Sequence, residues 1–257
     1  MKAVAALATL VLTFTLISAS PHEPKVRTPV LVELFTSEGC SSCPPADALL
    51  MSLLDKQPVE EAEIIAMGEH VDYWNYIGWT DRFSSPLYSQ RQSGYAKSFG
   101  LDSVYTPQMV VDGAQELIGS ERGPALLAIR MAAGRPKPLT VNLAREHQRL
   151  RISVAGLASL GEAEQGAVLL AVTEDNLESK VPKGENAGRV LRHAAVARSF
   201  TVVGEVGRGA DKIFNAALEL DASWKSQDLR AIVIVQERSS RRILGLGALP
   251  LRSTAAH

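Results

Sequence analysis

The sequence predicts two domains, an α/β unit followed by an all-β sandwich. Residues 29–134 alternate strand-like with helix-like stretches, Pro136 and Pro138 interrupt the chain around a lysine, and beyond them the helical period nearly vanishes. At 257 residues there is room for two cores, since domains usually run to about 100–200 residues. The boundaries follow as 1–20 for a leader, 28–135 for the α/β domain and 139–253 for the sandwich.

Residues 30–35 form a short apolar run suited to a buried strand. Residues 46–54 follow, with Leu49, Leu50, Leu53 and Leu54 on one helical stripe. Residues 63–68 read as a second strand. From 87 to 99, Tyr88, Tyr95 and Phe99 recur at helical spacing. Two short apolar runs, 107–111 and 115–118, flank Asp112-Gly113, a strong hairpin signal. Pro124 opens a last helix over 124–131, and Gly134 stands where a C-cap would. The order is β-α-β-α-β-β-α. Beyond the prolines, 139–144, 150–154, 167–173, 190–206, 213–220, 229–237 and 243–251 read as strands, several alternating as in Leu150-Arg151-Ile152-Ser153-Val154. Short strands separated by turn signals predict a sandwich of the immunoglobulin type.

Lys2 precedes an uncharged, mostly apolar run over 3–17, which gives way to Ser18-Ala19-Ser20-Pro21. That is the layout of a secretory signal cleaved near Ala19. The run is shorter than the roughly 20 residues of a spanning helix, so the mature chain is expected to be exported without a stable membrane span. Export places it where disulfides persist. Charges of 27 basic against 28 acidic lack the basic excess of a sequence-independent nucleic-acid binder. With 46% hydrophobic and 21% charged residues the composition is that of a globular protein.

The two cysteines lie in Cys40-Ser41-Ser42-Cys43, between the first strand and the first helix. At this spacing they can close a small ring. The start of a helix offers unpaired backbone N–H groups and a positive dipole end, which stabilise a thiolate, the form of sulfur that attacks disulfides. The pair reads as a redox-active dithiol, Cys40 attacking and Cys43 resolving. A purely structural bridge fits less well, because closing so short a loop removes little unfolded-state entropy. A structural zinc needs four ligands, and there is no second cysteine pair.

The element order, the C-x-x-C after the first strand and Thr106-Pro107 opening the third strand together resemble the thioredoxin superfamily. The resemblance implies that Pro107 is a cis proline facing the dithiol and that Thr106 contacts an extended substrate. More narrowly, the run from Val32 to Asp47, the stretch from His70 to Trp79 and Gly184-Glu185-Asn186-Ala187-Gly188-Arg189 look like signatures of DUF1223, an exported bacterial family of unknown function described as thioredoxin-like. That resemblance implies a periplasmic or secreted protein and spans nearly the whole mature chain. Against the general thioredoxin pattern, Gly39 stands where a tryptophan commonly precedes the first cysteine, and Ser41-Ser42 replaces Gly-Pro. Pro44-Pro45 follows the second cysteine, so the regular helix is expected to begin near Cys43 rather than Cys40.

Glu33 lies in the first strand, seven positions before Cys40. Buried behind the sulfurs, it could move protons to or from Cys43; the alternative is a side chain turned to solvent. The segment 69–83 crowds His70, Asp72, Tyr73, Trp74, Trp79 and Asp81 into a span without clear period. It leaves the second strand where ligand sites are commonly built, so His70 and Trp74 are candidates for a substrate wall, the aromatics alternatively packing the two domains together. Asn186, Arg189 and His193 accompany two glycines and read first as the start of a sandwich strand, second as a contact with the first domain or a partner.

The expectation is thus an exported thiol–disulfide oxidoreductase with Cys40, Cys43 and Glu33 as catalytic residues and Thr106, Pro107, His70 and Trp74 as substrate contacts. Its partners would be protein or small-molecule thiols and disulfides, with no cofactor besides the Cys40–Cys43 disulfide. One alternative is a copper(I)-binding protein using Cys40, Cys43 and His70, a soft ligand set. Another is a non-catalytic envelope binding module.

Overall fold

The computed structural model describes residues 27–252; the leader read over 1–20 lies outside them. The first half follows the expected order, β1 (Thr28–Thr36), α1 (Pro44–Lys56), β2 (Ala62–His70), α2 (Pro86–Phe99), β3 (Gln108–Val111), β4 (Gln115–Ile118) and α3 (Arg122–Ala133). Strand alternation sorts the residues of β1. Val30, Val32 and Leu34 turn toward α1 and α3 and pack with Leu49, Leu50, Leu53 and Ile129, while Leu31, Glu33 and Phe35 face the other way. Between β3 and β4, Asp112 and Gly113 both adopt left-handed backbone, φ 51° and 64°, as the hairpin turn requires.

The second half comprises β5 (Thr140–Glu146), β6 (Arg149–Ala155), β7 (Gln165–Glu174), β8 (Leu177–Lys180), β9 (Val190–His193), β10 (Val196–Gly207), β11 (Lys212–Ala217), β12 (Leu229–Glu237) and β13 (Ile243–Pro250). The expected run over 190–206 is two strands, because the chain turns at Ala194-Ala195, with Ala195 at φ 51°.

The expected division into a thioredoxin-like α/β domain and a separate immunoglobulin-like sandwich does not hold. One mixed sheet of eight strands, ordered β13-β12-β7-β10-β2-β1-β3-β4, runs through both halves, and the described residues are mostly β with three α-helices. The join is β10 on β2, parallel at Val196 opposite Gly68, where the Gly68 N–H donates to Ala195 O at 2.7 Å. Without it β2 would end its sheet on an open edge, a liability that folded proteins cover. A three-stranded sheet, β11-β6-β5, layers onto this larger sheet through Leu150, Ile152, Val168, Leu170 and Val233, and only this part is sandwich-like.

A second core confirms that the halves are one body. Leu31, Ile65 and Met67 of β1 and β2 meet Leu169, Ile232, Ile234 and Ile243 of β7, β12 and β13, with Tyr88 of α2 among them. Lys137, between the two linker prolines, is tied down, its Nζ donating to Pro29 O at 2.5 Å and to Asp112 Oδ2 at 2.7 Å. Strands β8 and β9 pair only with each other, antiparallel, and β9 lies against α1. That ribbon brings the loop between them onto the cysteines. Among the described residues no helix is long and apolar enough to cross a membrane.

Candidate functional site

Cys40 and Cys43 are joined in a disulfide, their Cα atoms 5.4 Å apart, in the turn from β1 into α1. Cys43 is the N-cap and Pro44 and Pro45 fill the first two helical positions, the only interior places where proline costs nothing. This changes the electrostatics expected of a helix start. Neither proline carries an N–H, and the N–H groups of Ala46 and Asp47 both donate to Cys43 O, at 2.8 and 3.1 Å. These four positions leave no unpaired amide for a Cys40 thiolate. The Ser42 hydroxyl is beside the sulfur, its Oγ 3.4 Å from Cys40 Sγ.

Both cysteines are fully buried, at 0% exposure, while Ser41 and Ser42 between them are exposed. Two segments build the cover. On one side Trp74 packs against Gly39, where an added methyl would meet the Trp74 Cβ at 3.2 Å, and its indole Nε1 donates to Thr106 Oγ1 at 2.8 Å. The ring therefore reaches from the residue before Cys40 to the residue before Pro107, whose peptide bond is cis. Pro107 and Ala46, two residues into α1, both flank Gly119 at 3.1 and 3.3 Å from where its Cβ would stand, so the proline borders the start of the helix. On the other side the β8–β9 loop closes in. Asn186 Nδ2 donates to both Glu38 O and Cys40 O at 2.9 Å, the Ser41 N–H donates to Glu185 Oε2 at 3.0 Å, and Arg189 holds Asn186 Oδ1 at 2.8 Å.

Beneath this turn lies a buried cluster of acids and imidazoles. Asp81 Oδ2 contacts His70 Nδ1 at 2.6 Å and accepts the Glu38 N–H at 2.9 Å. Trp79 Nε1 donates to Glu38 Oε2 at 2.7 Å. His193 of β9 stands between two carboxylates, Nε2 3.4 Å from Glu38 Oε1 and Nδ1 3.9 Å from Asp47 Oδ1, and edge-on to His70 with centroids 4.8 Å apart. Neither nitrogen of the His193 ring is hydrogen-bonded at these distances, although the residue is only 2% exposed. Burial alone would lower its pKa; the Asp47 and Glu38 carboxylates outweigh that and hold it up at about 9. Glu38 feels the converse: burial pushes its carboxyl up, but His193 and its hydrogen-bond donors hold it below the usual range.

The His193 shift makes a prediction about stability. A histidine whose pKa rises on folding contributes stability that is complete below its unfolded pKa of about 6.5 and lost as the pH climbs to about 9. The urea midpoint should therefore fall between those two pH values, by the equivalent of about 3 kcal/mol, and His193→Gln should flatten the decline. An equally steep decline in the variant would assign it to other groups.

Glu33 lies elsewhere than expected. It is buried, not solvent-facing, but it sits on the face of β1 opposite α1, where Arg91 Nε donates to Oε1 at 2.6 Å and Tyr95 OH to Oε2 at 2.6 Å. Arg91 also reaches Gln236 Oε1 at 2.9 Å, so this cluster pins α2 to strands of both halves. Glu69, beside it, is buried and pushed well above the usual carboxylate range by burial and by the Glu33 charge, which favours its neutral acid. The acid on the dithiol's own face is Asp47, four residues after Cys43 and anchored by the Thr36 hydroxyl at 3.3 Å.

Of the residues singled out from sequence, the structure gathers Cys40, Cys43, Trp74, Thr106 and Pro107 around the turn, puts His70 one layer below it at 1% exposure, and sends Glu33 to the other face. Trp79, read mainly as packing, is a hydrogen-bond donor to the cluster. Sequence reasoning missed Glu38, Asp47 and Glu185 as site residues and gave Asn186, Arg189 and His193 the blander role. For Asp47 a signal existed, since positions i and i+4 share a helix face. For a metal, Cys40 and Cys43 are bonded to one another here, and among the described residues no group of three or more His, Cys, Asp or Glu is arranged to hold an ion.

Protein AGR_C_4864 from Agrobacterium tumefaciens, known from a crystal structure, is similar over 90% of this chain and 98% of its own, at 24% identity and a TM-score of 0.73. The likeness shows the fold, and its span takes in strands of both halves. A domain of the outer membrane lipoprotein Omp28 from Porphyromonas gingivalis is similar over 45% of this chain and 89% of its own, at 12% identity and a TM-score of 0.29. No curated protein matches. A family model described as "Protein of unknown function (DUF1223)" matches residues 31–236, which take in Cys40, Cys43, the aromatic segment and the β8–β9 loop, and the chain belongs to that family.

Proposed function

We propose that this chain is an exported thiol–disulfide oxidoreductase of the periplasm or cell exterior, working through Cys40 and Cys43 on protein or small-molecule thiols and disulfides. The observation that carries the reading is a disulfide across a three-residue separation at the start of a helix, set over a buried acid–imidazole cluster. A bridge that short adds little to stability, whereas the cluster beneath it is equipped to handle protons.

The reaction starts from the oxidised form, with the Trp74 indole withdrawn from Thr106. A partner thiolate attacks Cys40 Sγ; the bond to Cys43 breaks, its electron pair leaves on Cys43 Sγ, and that sulfur takes a proton. A second partner thiolate attacks the partner sulfur of the mixed disulfide, and Cys40 leaves as a thiolate beside the Ser42 hydroxyl. The partner dithiol, entering as two thiolates, has become a disulfide, and the protein has gained two electrons and the one proton on Cys43; a second proton is taken up when the Cys40 thiolate is itself protonated. The reverse sequence reduces a partner disulfide, and the relative potentials set the direction. Cys43, the N-cap of α1, is the leaving group of this first step. Asp47, with Cβ about 5–6 Å from that of Cys43 on one helix face, and the protonated His193 supply and receive its proton.

The test is trapping. Reduced Cys43→Ser should form a stable adduct with glutathione at Cys40 when given glutathione disulfide under native conditions, detectable by mass spectrometry. Cys40→Ser should form it at least about tenfold more slowly, since the reading makes Cys40 the attacking sulfur. Two equally inert variants would end the proposal.

A further inference from the structure

Two grooves meet beside α2, on residues that take no part in the disulfide site. One, of about 590 Å³, is lined by Ser93, Gly94, Lys97, Ser98 and Ser239. The other, of about 480 Å³, has Leu87, Leu169, Phe200 and Val202 on its apolar side and Arg91, Gln236, Glu237 and Arg238 along its polar side, and the two share Gln90 and Arg241. Both volumes fall in the range of small-molecule sites.

Arg241 stands at the junction. Its guanidinium lies flat on α2, so that a methyl group at Gly94 would come within 2.0 Å of Nη2, and its Cζ is 5.4 Å from the Tyr95 ring centroid. It is half-buried, yet among the described residues the side chain donates no hydrogen bond and forms no ion pair. The carboxylates nearby are committed: Glu33 to Arg91 and Tyr95, Glu237 to Ser239 and Ser240, Asp72 to Ser89. Burial and the adjacent Arg91 charge push the Arg241 pKa down and outweigh Tyr95 and Glu33, which act to raise it. The serine hydroxyls do not compete for an anion, since Ser93, Ser98 and Ser239 already donate to Ser89 O, Tyr95 O and Glu237. Lys97, exposed in the last turn of α2, supplies a second positive charge. The other groove adds an apolar wall. Leu87 and Val202 are 52% and 67% exposed there, beside the ring of Phe200. Large apolar side chains left in water along one groove mark a surface that something covers.

We propose that the two grooves form one ligand site for an acidic amphiphile, with a carboxylate or phosphate headgroup on Arg241 and Lys97 and an acyl chain along Leu87, Phe200 and Val202. The charge selects the headgroup end and the apolar wall selects the tail; neither groove alone would do both. The site is independent of the redox reading, and its test does not involve Cys40 or Cys43.

Calorimetric titration with decanoate, decyl phosphate, decyl maltoside and inorganic phosphate separates the contributions. Decanoate or decyl phosphate should bind one to one, whichever binds better naming the headgroup, and at least about tenfold more tightly than decyl maltoside or phosphate alone. Arg241→Gln, and Gly94→Ala, whose methyl displaces the guanidinium, should each weaken it about tenfold, and Leu87→Ser should weaken it without changing the response to phosphate. Equal affinity for decyl maltoside, phosphate binding as tight as either amphiphile, no binding of either acid, or an unchanged Arg241→Gln would each overturn the proposal.

Discussion

Trp74→Ala should speed the reduction of the Cys40–Cys43 disulfide by dithiothreitol by about tenfold or more at equal thiolate concentration. Thiol–disulfide exchange requires a thiolate to reach a sulfur, and both sulfurs are walled in, with Trp74 as the cover on the Thr106 side. The indole is held there by one polar contact, Nε1 to Thr106 Oγ1 at 2.8 Å, and by packing against Phe35, Val71 and Tyr95. A single hydrogen bond nets about 0.5–1.5 kcal/mol, so the closed position is inexpensive to leave. Trp74→Phe, which keeps a ring but loses the bond, should give an intermediate rate. The urea midpoints of both variants separate local opening from global unfolding, since only the latter would move reduction and stability together. A Trp74→Ala protein reduced no faster than the wild type would mean that the β8–β9 loop, through Asn186, controls access.

The largest effect on stability is expected on the other face of the sheet. Arg91→Met should destabilise the protein by about 3–5 kcal/mol, read as a fall in the urea midpoint. Arg91 is 7% exposed and joins Glu33 of β1, Tyr95 of α2 and Gln236 of β12. Removing it leaves the buried Glu33 carboxylate next to Glu69 without its direct ion-pair partner, and an undercompensated buried charge costs more than the pair contributed. Glu33→Gln in the Arg91→Met background should recover a substantial part of the loss, because an amide can still accept from Tyr95 without carrying charge. No recovery would show that Arg91 acts mainly through its stacking on Phe200 and Tyr95.

How much of this was legible in the sequence depends on range. The helices and strands of the first half are written in local spacing: Leu49, Leu50 and Leu53 of α1 and Tyr88 and Tyr95 of α2 are buried, with Leu54 and Phe99 partly buried against the same cores. The two prolines after Cys43 correctly placed the helix start. The same two residues also removed the N–H groups that a helix start was expected to offer, a consequence that could have been drawn from proline chemistry alone. The orientation of Glu33 was equally within reach. Once Val30, Val32 and Leu34 are assigned to α1, the odd-numbered residues between them must face away, and the acid cannot stand behind the sulfurs.

The misreading of the architecture has a different cause. Strand pairing between residues 68 and 196 leaves no local trace, and a break at two prolines looks the same whether the flanking segments form separate domains or share a sheet. Neither do Asn186 and His193 carry a mark that they will meet Cys40 and Glu38, about 150 positions earlier, because the contact is made by a ribbon whose first strand, β8, is short, mixed in polarity and unremarkable in sequence. Buried polar clusters are read by counting partners in space, and sequence supplies only the residue types.

The redox potential of the Cys40–Cys43 pair under native conditions tests the account most directly. Equilibration in glutathione buffers, with thiols trapped by alkylation and the fold followed by circular dichroism, should give a reversible two-electron transition between about −270 and −120 mV, the range of catalytic dithiols. A disulfide that stays intact below about −300 mV, or that yields only when the protein unfolds, would make it an inert staple and contradict the proposed chemistry.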